Sequence, residues 1–431
     1  MKPYSVILCG AGLRGTAYTN IMKKHPDQFR VIAVAEPDEG RRNFIAAEHG
    51  ISPENCFSSW EEVLARPKFA DLVMICTMDQ MHYHPAILAI EKGYHLLLEK
   101  PAAQTPEECA HIARLAREKG VKVLVCHVLR YAPFFRQLKQ MLMDGAVGKV
   151  LSIVHVEAVG NVHQSHSYVR GNWHSTEETT PMLLAKSCHD VDIIQWLLDD
   201  RCKQVQSFGS LSYFRRENAP AGAPRSCVDG DCPFRSECHY DCRRLYLEDE
   251  KNLWFRRACT KGIAKTEIPT NEEVLMGLRG SDYGLCVFYA NNDVVDHQVV
   301  NMEFEGGATV SFSMNAFNQG GRYIRIFGTE GELYAHAKDQ EITHYSFALR
   351  KQTKIPISGA DESILSGHGG GDGGMIRELY EYLSDSYSGF CAADIQVSVQ
   401  NHLIGFAAEE SRLKGTVENV PAYLQRYGFQ E

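Results

Sequence analysis

The first 128 residues alternate short apolar runs with segments of helical periodicity, and this alternation constrains the fold more than any other feature. The apolar runs cover residues 6–9, 31–35, 72–76, 95–98 and 122–126. Helical segments such as 13–24, 85–92 and 105–119 separate them. Strands that alternate with helices form βαβ units, in which the strands pair in parallel. The pattern predicts a doubly wound α/β domain over residues 1–128.

A glycine-rich run lies between the first apolar run and the first helical segment. It reads Gly10-Ala11-Gly12-Leu13-Arg14-Gly15. In such a turn the first glycine permits the bend, the second lets a pyrophosphate approach the backbone, and the third lets the helix pack on the strand. The alternative is a glycine turn without a ligand. The position of the run favours a Rossmann domain that binds a dinucleotide through Gly10, Gly12, Leu13, Arg14 and Gly15.

The choice of dinucleotide depends on Glu36, which ends the second apolar run. An acidic side chain at this position accepts hydrogen bonds from the adenosine ribose and repels a 2′-phosphate. Arg41 and Arg42 follow closely and can counter that repulsion, or they are solvated charges of the next helix. The expected cofactor is NAD(H).

A second domain is predicted over residues 129–431, because the pattern of the chain changes near residue 130. Alternating apolar and polar residues over 150–159 and 284–334 predict a largely antiparallel sheet with one covered face. Between them lie an apolar helix over 181–198 and an irregular, cysteine-rich insertion over 218–244. A glycine-rich run over 367–374 is predicted to be a tight loop before a helix that starts at Met375.

Composition excludes two classes of partner. The formal net charge is −9, whereas nucleic-acid-binding proteins concentrate Lys and Arg to neutralise phosphates. No apolar run approaches the roughly 20 residues that a membrane helix needs. We therefore expect neither nucleic acid nor a membrane as a partner. The first residues lack the apolar core of a signal peptide, so a cytoplasmic location is expected.

Two further motifs resemble a known family. Residues 76–82 read Cys-Thr-Met-Asp-Gln-Met-His, and residues 95–101 read His-Leu-Leu-Leu-Glu-Lys-Pro. Together with Arg130, Gly148 and the run 327–333, they resemble the Gfo/Idh/MocA oxidoreductases, the family of glucose-fructose oxidoreductase and inositol dehydrogenase. The resemblance implies that Lys100 reaches both nicotinamide ribose and substrate. It also assigns Thr77, His82 and Glu99 to the cofactor site.

The family resemblance also implies the overall architecture. It predicts a Rossmann doubly wound parallel sheet followed by a C-terminal α/β domain whose open mixed sheet is largely antiparallel. That second sheet often builds the oligomer in this family. We therefore expect a homo-oligomer, either a dimer or a tetramer.

The resemblance places the active-site helix at residues 186–192, Lys-Ser-Cys-His-Asp-Val-Asp. Many family members have an aspartate four residues before the histidine, where this chain has Ala185. On a continuous helix, Lys186, His189 and Asp190 would share an arc of roughly 100°. The expectation is that His189 is the general base, with Lys100 and Lys186 polarising the hydroxyl. The alternative is a solvated stripe of an amphipathic helix.

Candidate substrate contacts lie in a segment rich in aromatic and hydrogen-bonding side chains ahead of that helix. Sugars are commonly held by ring stacking and convergent polar groups, although the segment can also be a polar surface loop. The glycine-rich run adds one histidine, and the active-site helix adds one carboxylate. The predicted substrate-binding residues are Tyr168, Arg170, Trp173, Asp190 and His368.

The cysteine-rich insertion holds four thiols at intermediate spacing. They are Cys227, Cys232, Cys238 and Cys242. Four thiolates suit a tetrahedral structural zinc, and an iron–sulfur cluster uses the same ligands. The remaining alternative is four reduced thiols in a flexible insertion. Zinc is the expected occupant.

These observations predict an NAD(H)-dependent oxidoreductase that acts on a secondary hydroxyl of a sugar, an inositol or a glycoside. One alternative is redox-neutral glycoside cleavage, in which NAD stays bound, a ring hydroxyl is oxidised, the glycosidic group is eliminated and the hydride returns. Another is a non-catalytic protein that senses dinucleotides. Such a sensor needs neither Lys100 nor His189, so the presence of both favours an enzyme.

Overall fold

The N-terminal half of the fold is a six-stranded parallel sheet in the order β3-β2-β1-β4-β5-β6. The computed structural model describes residues 2–248, 253–264, 266, 268–339, 341–357 and 367–429. The strands are β1 Tyr4–Cys9, β2 Phe29–Ala35, β3 Cys56–Phe57, β4 Leu72–Ile75, β5 His95–Leu98 and β6 Val123–Val125. The helices are α1 Leu13–Met22, α2 Glu39–His49, α3 Trp60–Ala65, α4 Tyr83–Glu91 and α5 Pro106–Lys119.

Local signals explain where these elements begin and end. The inner residues of β1 are fully buried, because a parallel sheet is covered on both faces. Helix α5 starts at the Thr105 cap, whose side chain accepts from the Glu108 amide, with Pro106 in its first turn. It ends at Gly120, whose φ of 64° suits glycine. The predicted doubly wound domain is confirmed.

The C-terminal half is built on a nine-stranded mixed sheet in the order β14-β13-β12-β11-β7-β10-β9-β8-β15. Its strands are β7 Val150–Ala158, β8 Cys202–Ser210, β9 His297–Phe304, β10 Thr309–Asn315, β11 Gly321–Gly328, β12 Gly331–His336, β13 Glu341–Ser346, β14 Lys351–Pro356 and β15 Glu418–Asn419. β7 and β10 pair in parallel, and the other neighbours pair antiparallel. The predicted open, largely antiparallel sheet is therefore confirmed.

Within the described ranges, nine further α-helices accompany this sheet, together with a π-helix at Gln164–Val169. They are α6 Pro133–Met143, α7 Asn161–His163, α8 Met182–Ala185, α9 Cys188–Leu198, α10 Leu253–Ala264, α11 Asn271–Arg279, α12 Gly371–Leu383, α13 Ile395–Lys414 and α14 Val420–Arg426. Helix α13 packs against α5 of the first domain and against α9 and β8 of the second. Apolar residues of both domains form one core cluster. Across the described ranges, no helix has the length and apolarity to cross a bilayer.

Two helix predictions were wrong in ways that affect the site. The predicted helix over 181–198 is broken, because α8 ends at Ala185, Ser187 leaves the helical conformation, and α9 begins at Cys188. The glycine-rich run is not a loop throughout, since α12 starts at Gly371. A Cβ at Gly371 would lie 2.2 Å from the Val128 carbonyl oxygen. The glycine therefore serves close packing of α12 on the chain that follows β6.

Candidate active site

The glycine turn after β1 is crowded on its inner side and open on its outer side. Gly10 has a φ of +91°, and a Cβ there would lie 2.6 Å from the Cys76 carbonyl oxygen. A Cβ at Gly15 would lie 2.1 Å from the Gly10 carbonyl oxygen. At Gly12, by contrast, no described atom lies within 4 Å of the added Cβ. The first amides of an α-helix lack partners within the helix, so the start of α1 beside this open space suits a pyrophosphate. Leu13 is 62% exposed beside it.

Glu36 is held beside the glycine turn by two backbone amides. Its carboxylate accepts from the Ala11 amide at 2.7 Å and from the Asp38 amide at 3.0 Å. The guanidinium of Arg42 donates instead to main-chain carbonyls, those of Glu36 at 2.6 Å and Pro37 at 3.2 Å. The acidic group is thus fixed at the end of β2, as ribose recognition requires.

Arg14 lies at the centre of a charged network that joins the two domains. It donates to Glu99 at 3.1 Å and to both oxygens of Asp372, at 3.0 and 2.7 Å. The Tyr18 hydroxyl donates to Glu99 at 2.7 Å. Burial alone would raise the pKa of Glu99, but the Arg14 and Lys100 cations keep it below its usual value. Glu99 is therefore a carboxylate that orders the turn containing Lys100.

His82 and Thr77 shape the loop that follows β4. The His82 ring is buried. Its Nδ1 lies 2.7 Å from the Pro101 carbonyl oxygen, and its Nε2 lies 3.1 Å from the Thr77 carbonyl oxygen. Thr77 Oγ1 donates to the Met81 carbonyl at 3.0 Å. His82 therefore ties the loop after β4 to the Glu-Lys-Pro turn after β5.

Lys100 extends from the Rossmann domain to the active-site helix of the second domain. Its Nζ donates a 2.8 Å hydrogen bond to the Ala185 carbonyl oxygen, at the end of α8. Parallel strands bind ligands beyond their carboxyl ends, and Lys100 follows β5 at that edge. The helix break at residues 186–187 thus lies next to the lysine that the predicted cofactor site includes.

A buried charged cluster surrounds Lys186. Its ammonium lies 3.2 Å from Glu157, and Arg322 contacts the other Glu157 oxygen at 2.8 Å. Arg322 also pairs with Asp190 at 2.8 and 3.2 Å, and His155 Nε2 lies 2.8 Å from that carboxylate. Burial lowers the pKa of Lys186, although Glu157 opposes the shift. The alternative of a solvated helix stripe is wrong, because Asp190 is fully buried and the Lys186 side chain is only 17% exposed.

His189 lies on the first turn of α9 and is 4% exposed. The His127 ring meets it edge-on, with ring centroids 5.9 Å apart. One turn further along α9, the buried Asp192 pairs with Arg130 at 2.8 and 2.6 Å. Asp192 is therefore not a helix surface residue. It anchors α9 to the chain that follows β6.

The predicted substrate segment contacts both the Rossmann domain and the cysteine-rich insertion. The Trp173 indole donates to Asp79 at 3.1 and 3.2 Å, and Tyr168 lies beside it with ring centroids 6.2 Å apart. The buried Arg170 donates to the carbonyls of Leu285 at 2.7 Å and Tyr240 at 2.8 Å. Arg170 thus joins the segment to the insertion. The side chain of His368 lies outside the described residues.

The structure does not support the predicted metal site. Among the residues it describes, no three His, Cys, Asp or Glu side chains are arranged to hold a metal ion. Cys227 and Cys242 instead contact each other: the Cys242 amide donates to the Cys227 sulfur at 3.3 Å. The hydrogen bond from the Cys242 side chain, helped by the Arg170 cation, lowers the pKa of Cys227 to about 6. A buried guanidinium beside the sulfur disfavours a divalent cation.

Sequence reasoning missed the inward side chains of the second sheet that surround Lys186. His155 and Glu157 lie two residues apart on the covered face of β7, and Arg322 lies on the adjacent β11. The available signal was the presence of ionisable residues at core-facing positions of a strand, where side chains are expected to be apolar. Asp79 was missed in the same way, although it lies inside the motif that follows β4.

Two family models match this chain over most of its length. One, described as an oxidoreductase family with an NAD-binding Rossmann fold, matches residues 4–127. The other, described as the C-terminal alpha/beta domain of that oxidoreductase family, matches residues 139–392. The chain belongs to the Gfo/Idh/MocA family. The resemblance noted in the Glu99-Lys100-Pro101 motif is confirmed, and NAD is the cofactor associated with its N-terminal domain.

Individual relatives are distant. YteT of Bacillus subtilis (strain 168), named as an oxidoreductase, is 23% identical over 396 residues, which cover 87% of this chain and 88% of YteT. A 2,7-anhydro-N-acetylneuraminate hydratase of Mediterraneibacter gnavus is 27% identical over 209 residues, about half of each protein at 48% and 53%. A levoglucosan dehydrogenase solved with NADH and levoglucosan has a TM-score of 0.70 at 17% identity, with 97% of this chain and 100% of that chain covered. The structural likeness shows the fold alone.

Proposed function

We propose that this Gfo/Idh/MocA protein is an NAD(H)-dependent oxidoreductase acting on a secondary hydroxyl of a sugar, an inositol or a glycoside. The observation that carries the proposal is the 2.8 Å hydrogen bond from Lys100 to the Ala185 carbonyl. It brings the lysine of the Rossmann domain to within a few residues of His189. A base and a cation from different domains then border one cleft, as alcohol oxidation requires.

The chemical roles follow from the charges in the cleft. His189 takes the proton of the substrate hydroxyl, while the Lys100 and Lys186 ammonium groups stabilise the negative charge that develops on its oxygen. Glu157, itself paired with Arg322, holds Lys186 in place. Lys186 then takes over the orienting role of the aspartate that Ala185 replaces. NAD, when bound, supplies the acceptor for the hydride from the carbinol carbon.

The cofactor-binding residues divide by function. The open side of the glycine turn at Gly12 and the exposed Leu13 suit the pyrophosphate and its flanking groups. Glu36 suits the adenosine ribose. Gly10, Arg14 and Gly15 shape the glycine turn itself. Thr77, His82, Glu99 and Lys100 shape the turns that follow β4 and β5, which we assign to the nicotinamide end.

Tyr168 and Trp173 are proposed to line the substrate pocket, because aromatic rings next to polar groups suit a sugar ring. Arg170 and Asp190 support this surface from behind through their buried contacts. His368 remains a proposed contact by its position before α12.

The test is a panel of polyols, free sugars and aryl glycosides incubated with enzyme and NAD. Absorbance of NADH and release of the aglycone are followed in parallel. NADH that appears without aglycone release supports the proposal, provided that His189→Ala abolishes it. No turnover on any member of a broad panel, with NAD binding intact, contradicts it.

Redox-neutral cleavage is the second candidate, and the similarity to a protein named as a hydratase favours it. A hydratase reaction needs no net change in the cofactor, so its first step can be the same proton and hydride removal. Aglycone release without net NADH would support this route. Slower aglycone release from a substrate that carries deuterium at the carbinol carbon would reveal the transient oxidation, because that C–D bond must break before the elimination.

A homo-oligomer is proposed through the uncovered face of the second sheet. Neighbouring strands expose Val154, Phe208, Val299 and Tyr334 on that face. Apolar side chains grouped in this way are typical of protein interfaces. Light scattering should give the mass of a dimer or tetramer, and Val154→Lys should reduce it. Leu413→Lys, at an exposed position near the end of α13, is the matched control and should leave it unchanged.

A further inference from the structure

His127 is a fully buried histidine at the carboxyl end of β6, on the edge of the first sheet that faces the proposed cleft. Neither of its ring nitrogens has a hydrogen-bond partner among the described residues. Buried polar groups without partners destabilise a fold and are rare in native proteins. A fully buried imidazole in this state is therefore a candidate for a role that the resting structure does not use.

Ionisable groups face His127 from four parts of the fold. From α9, the His189 ring lies edge-on at 5.9 Å and the Asp192 carboxylate lies 3.7 Å from Nδ1. Arg130 acts from the turn after β6, and Glu99 and Lys100 act from the turn after β5. From α13, the His402 ring lies at 5.5 Å. Burial first, and then the Arg130 and Lys100 cations, lower the pKa of His127 well below its usual value. His127 is therefore neutral, with one donor and one acceptor nitrogen.

Most of these neighbours already have fixed partners. Asp192 accepts from Arg130 and, at 2.5 Å, from Asn401. His402 accepts from the Ala102 amide at 3.0 Å and contacts the Ser398 carbonyl at 2.6 Å. His189 differs, because its charge changes in the proposed reaction. The closeness of Nδ1 to Asp192 assigns the His127 proton to Nδ1 and leaves Nε2 as the acceptor.

We propose that His127 is a positioning residue for His189, accepting a hydrogen bond from the His189 imidazolium when His189 has taken the substrate proton. The inference rests on the proposed role of His189 as the base. The substrate proton stays on His189, and His127 keeps its own proton on Nδ1 towards Asp192. The hydrogen bond is favoured on protonation, because a charged donor forms a shorter and stronger bond than a neutral one. His127 thus stabilises the transition state without contacting the substrate.

The experiment measures pH profiles of kcat/KM for wild type, His127→Phe and His127→Gln on a substrate that turns over. Without the acceptor, protonated His189 is less stable, so the acid limb in His127→Phe should move to lower pH by about one unit. The plateau kcat should fall about tenfold or more, with KM within about threefold. His127→Gln retains an acceptor and should recover much of the rate. His127→Leu replaces the Phe variant if that variant does not fold.

The matched control is His402→Gln, which changes the other ring that packs against His127. It should leave the acid limb in place, because His402 already has its own partners. An unmoved acid limb in folded His127→Phe, with His189→Ala inactive, overturns this inference alone. Near-normal turnover in His189→Ala overturns the proposed base, and the inference with it. A shift in both His127→Phe and His402→Gln would mean general loosening of the site and would also overturn it.

Discussion

The guanidinium of Arg14, in the glycine turn of the first domain, is held by both carboxylate oxygens of Asp372, in the first turn of α12 of the second. The two residues are 358 positions apart in sequence. Because Arg14 also contacts Glu99, this pair connects the turn that suits the pyrophosphate, the turn that holds Lys100 and the second domain. The turns assigned to the proposed cofactor site are therefore held together by residues from both ends of the chain.

Asp372→Asn should lower the free energy of unfolding by roughly 1–3 kcal/mol, the range for losing hydrogen bonds to a charged group. The change leaves a partly buried guanidinium with one carboxylate partner instead of two. Denaturant titration followed by circular dichroism checks the value. The control is Asp385→Asn, which removes the ion pair between Asp385 and Lys122. The Asp385 side chain is 86% exposed. That control should change stability by less than about 0.5 kcal/mol. Equal losses in both variants would contradict the prediction.

The first domain was predictable because its signals are local. Residues 95–98 were predicted as a strand and form β5. The glycine-rich run correctly predicted that α1 starts at Leu13. The two-residue β3 was missed, since Cys56 and Phe57 are too few to show a period. Lys100 was assigned from its motif, but the sequence contained no information that its partner is the Ala185 carbonyl. Such contacts depend on how two domains pack.

The helix break at residues 186–187 was not predictable from periodicity, because the apolar residues of α8 and α9 continue one pattern. The break follows from tertiary contacts instead. Lys186 turns to Glu157, and Lys100 donates to the last carbonyl of α8. The metal prediction is not supported for a related reason, since the spacing of four thiols does not by itself reveal that the buried Arg170 cation lies near Cys227 and Cys242.

The purified protein should bind NAD(H) at least about tenfold more tightly than NADP(H), because the fixed Glu36 carboxylate repels a 2′-phosphate. Arg42 does not offset this, since its guanidinium donates to main-chain carbonyls. Titration calorimetry with both cofactors measures the ratio. Glu36→Gln should reduce the ratio of the two affinities, because it weakens the binding of NAD(H) and strengthens that of NADP(H). Arg41→Gln should leave the ratio unchanged. Equal affinities in the wild type would contradict the assignment of Glu36.

Stability should fall as the pH falls from 7 to 5. Burial lowers the pKa of His402 to about 3, from an ordinary value of 6.5. Between these values the unfolded chain binds the proton and the folded protein does not, so acid favours unfolding. One such histidine costs roughly 2 kcal/mol between pH 7 and pH 5. Burial lowers the pKa of His166 to about 3 as well, which adds to the effect.

His402→Gln removes one of these titrations and retains an amide donor and acceptor for Ser398 and Ala102. Between pH 7 and pH 5 the wild type should lose more stability than the variant. The difference between the two losses in free energy of unfolding should be roughly 2 kcal/mol. Urea titrations at pH 7, 6 and 5 give both values. Parallel losses in the two proteins would mean that other groups control acid stability.

The chemical step should respond in a distinct way to each of the three groups assigned to it. His189→Ala should lower the rate of hydride transfer by about a hundredfold or more, with NAD affinity near wild type. Lys100→Ala should lower this rate at least as much, and should also weaken cofactor binding, because Lys100 is proposed to contact both the nicotinamide ribose and the substrate. Single-turnover absorbance of NADH measures the rate, and fluorescence titration measures the affinity.

Substitutions at and around Lys186 distinguish a catalytic role of this lysine from a purely structural one. If it fills the role of the aspartate that Ala185 replaces, Lys186→Ala should slow hydride transfer about as much as His189→Ala. Glu157→Gln should have a smaller effect, because it removes the partner of Lys186 and keeps the ammonium group. The matched control is Lys139→Met, in which another buried lysine, bound to the Trp196 carbonyl, is replaced away from the cleft. That variant should lose stability and keep its rate per folded molecule. A near-normal rate in Lys186→Ala would mean that the lysine has only a structural role, which is to hold Glu157 and its partner Arg322 in place.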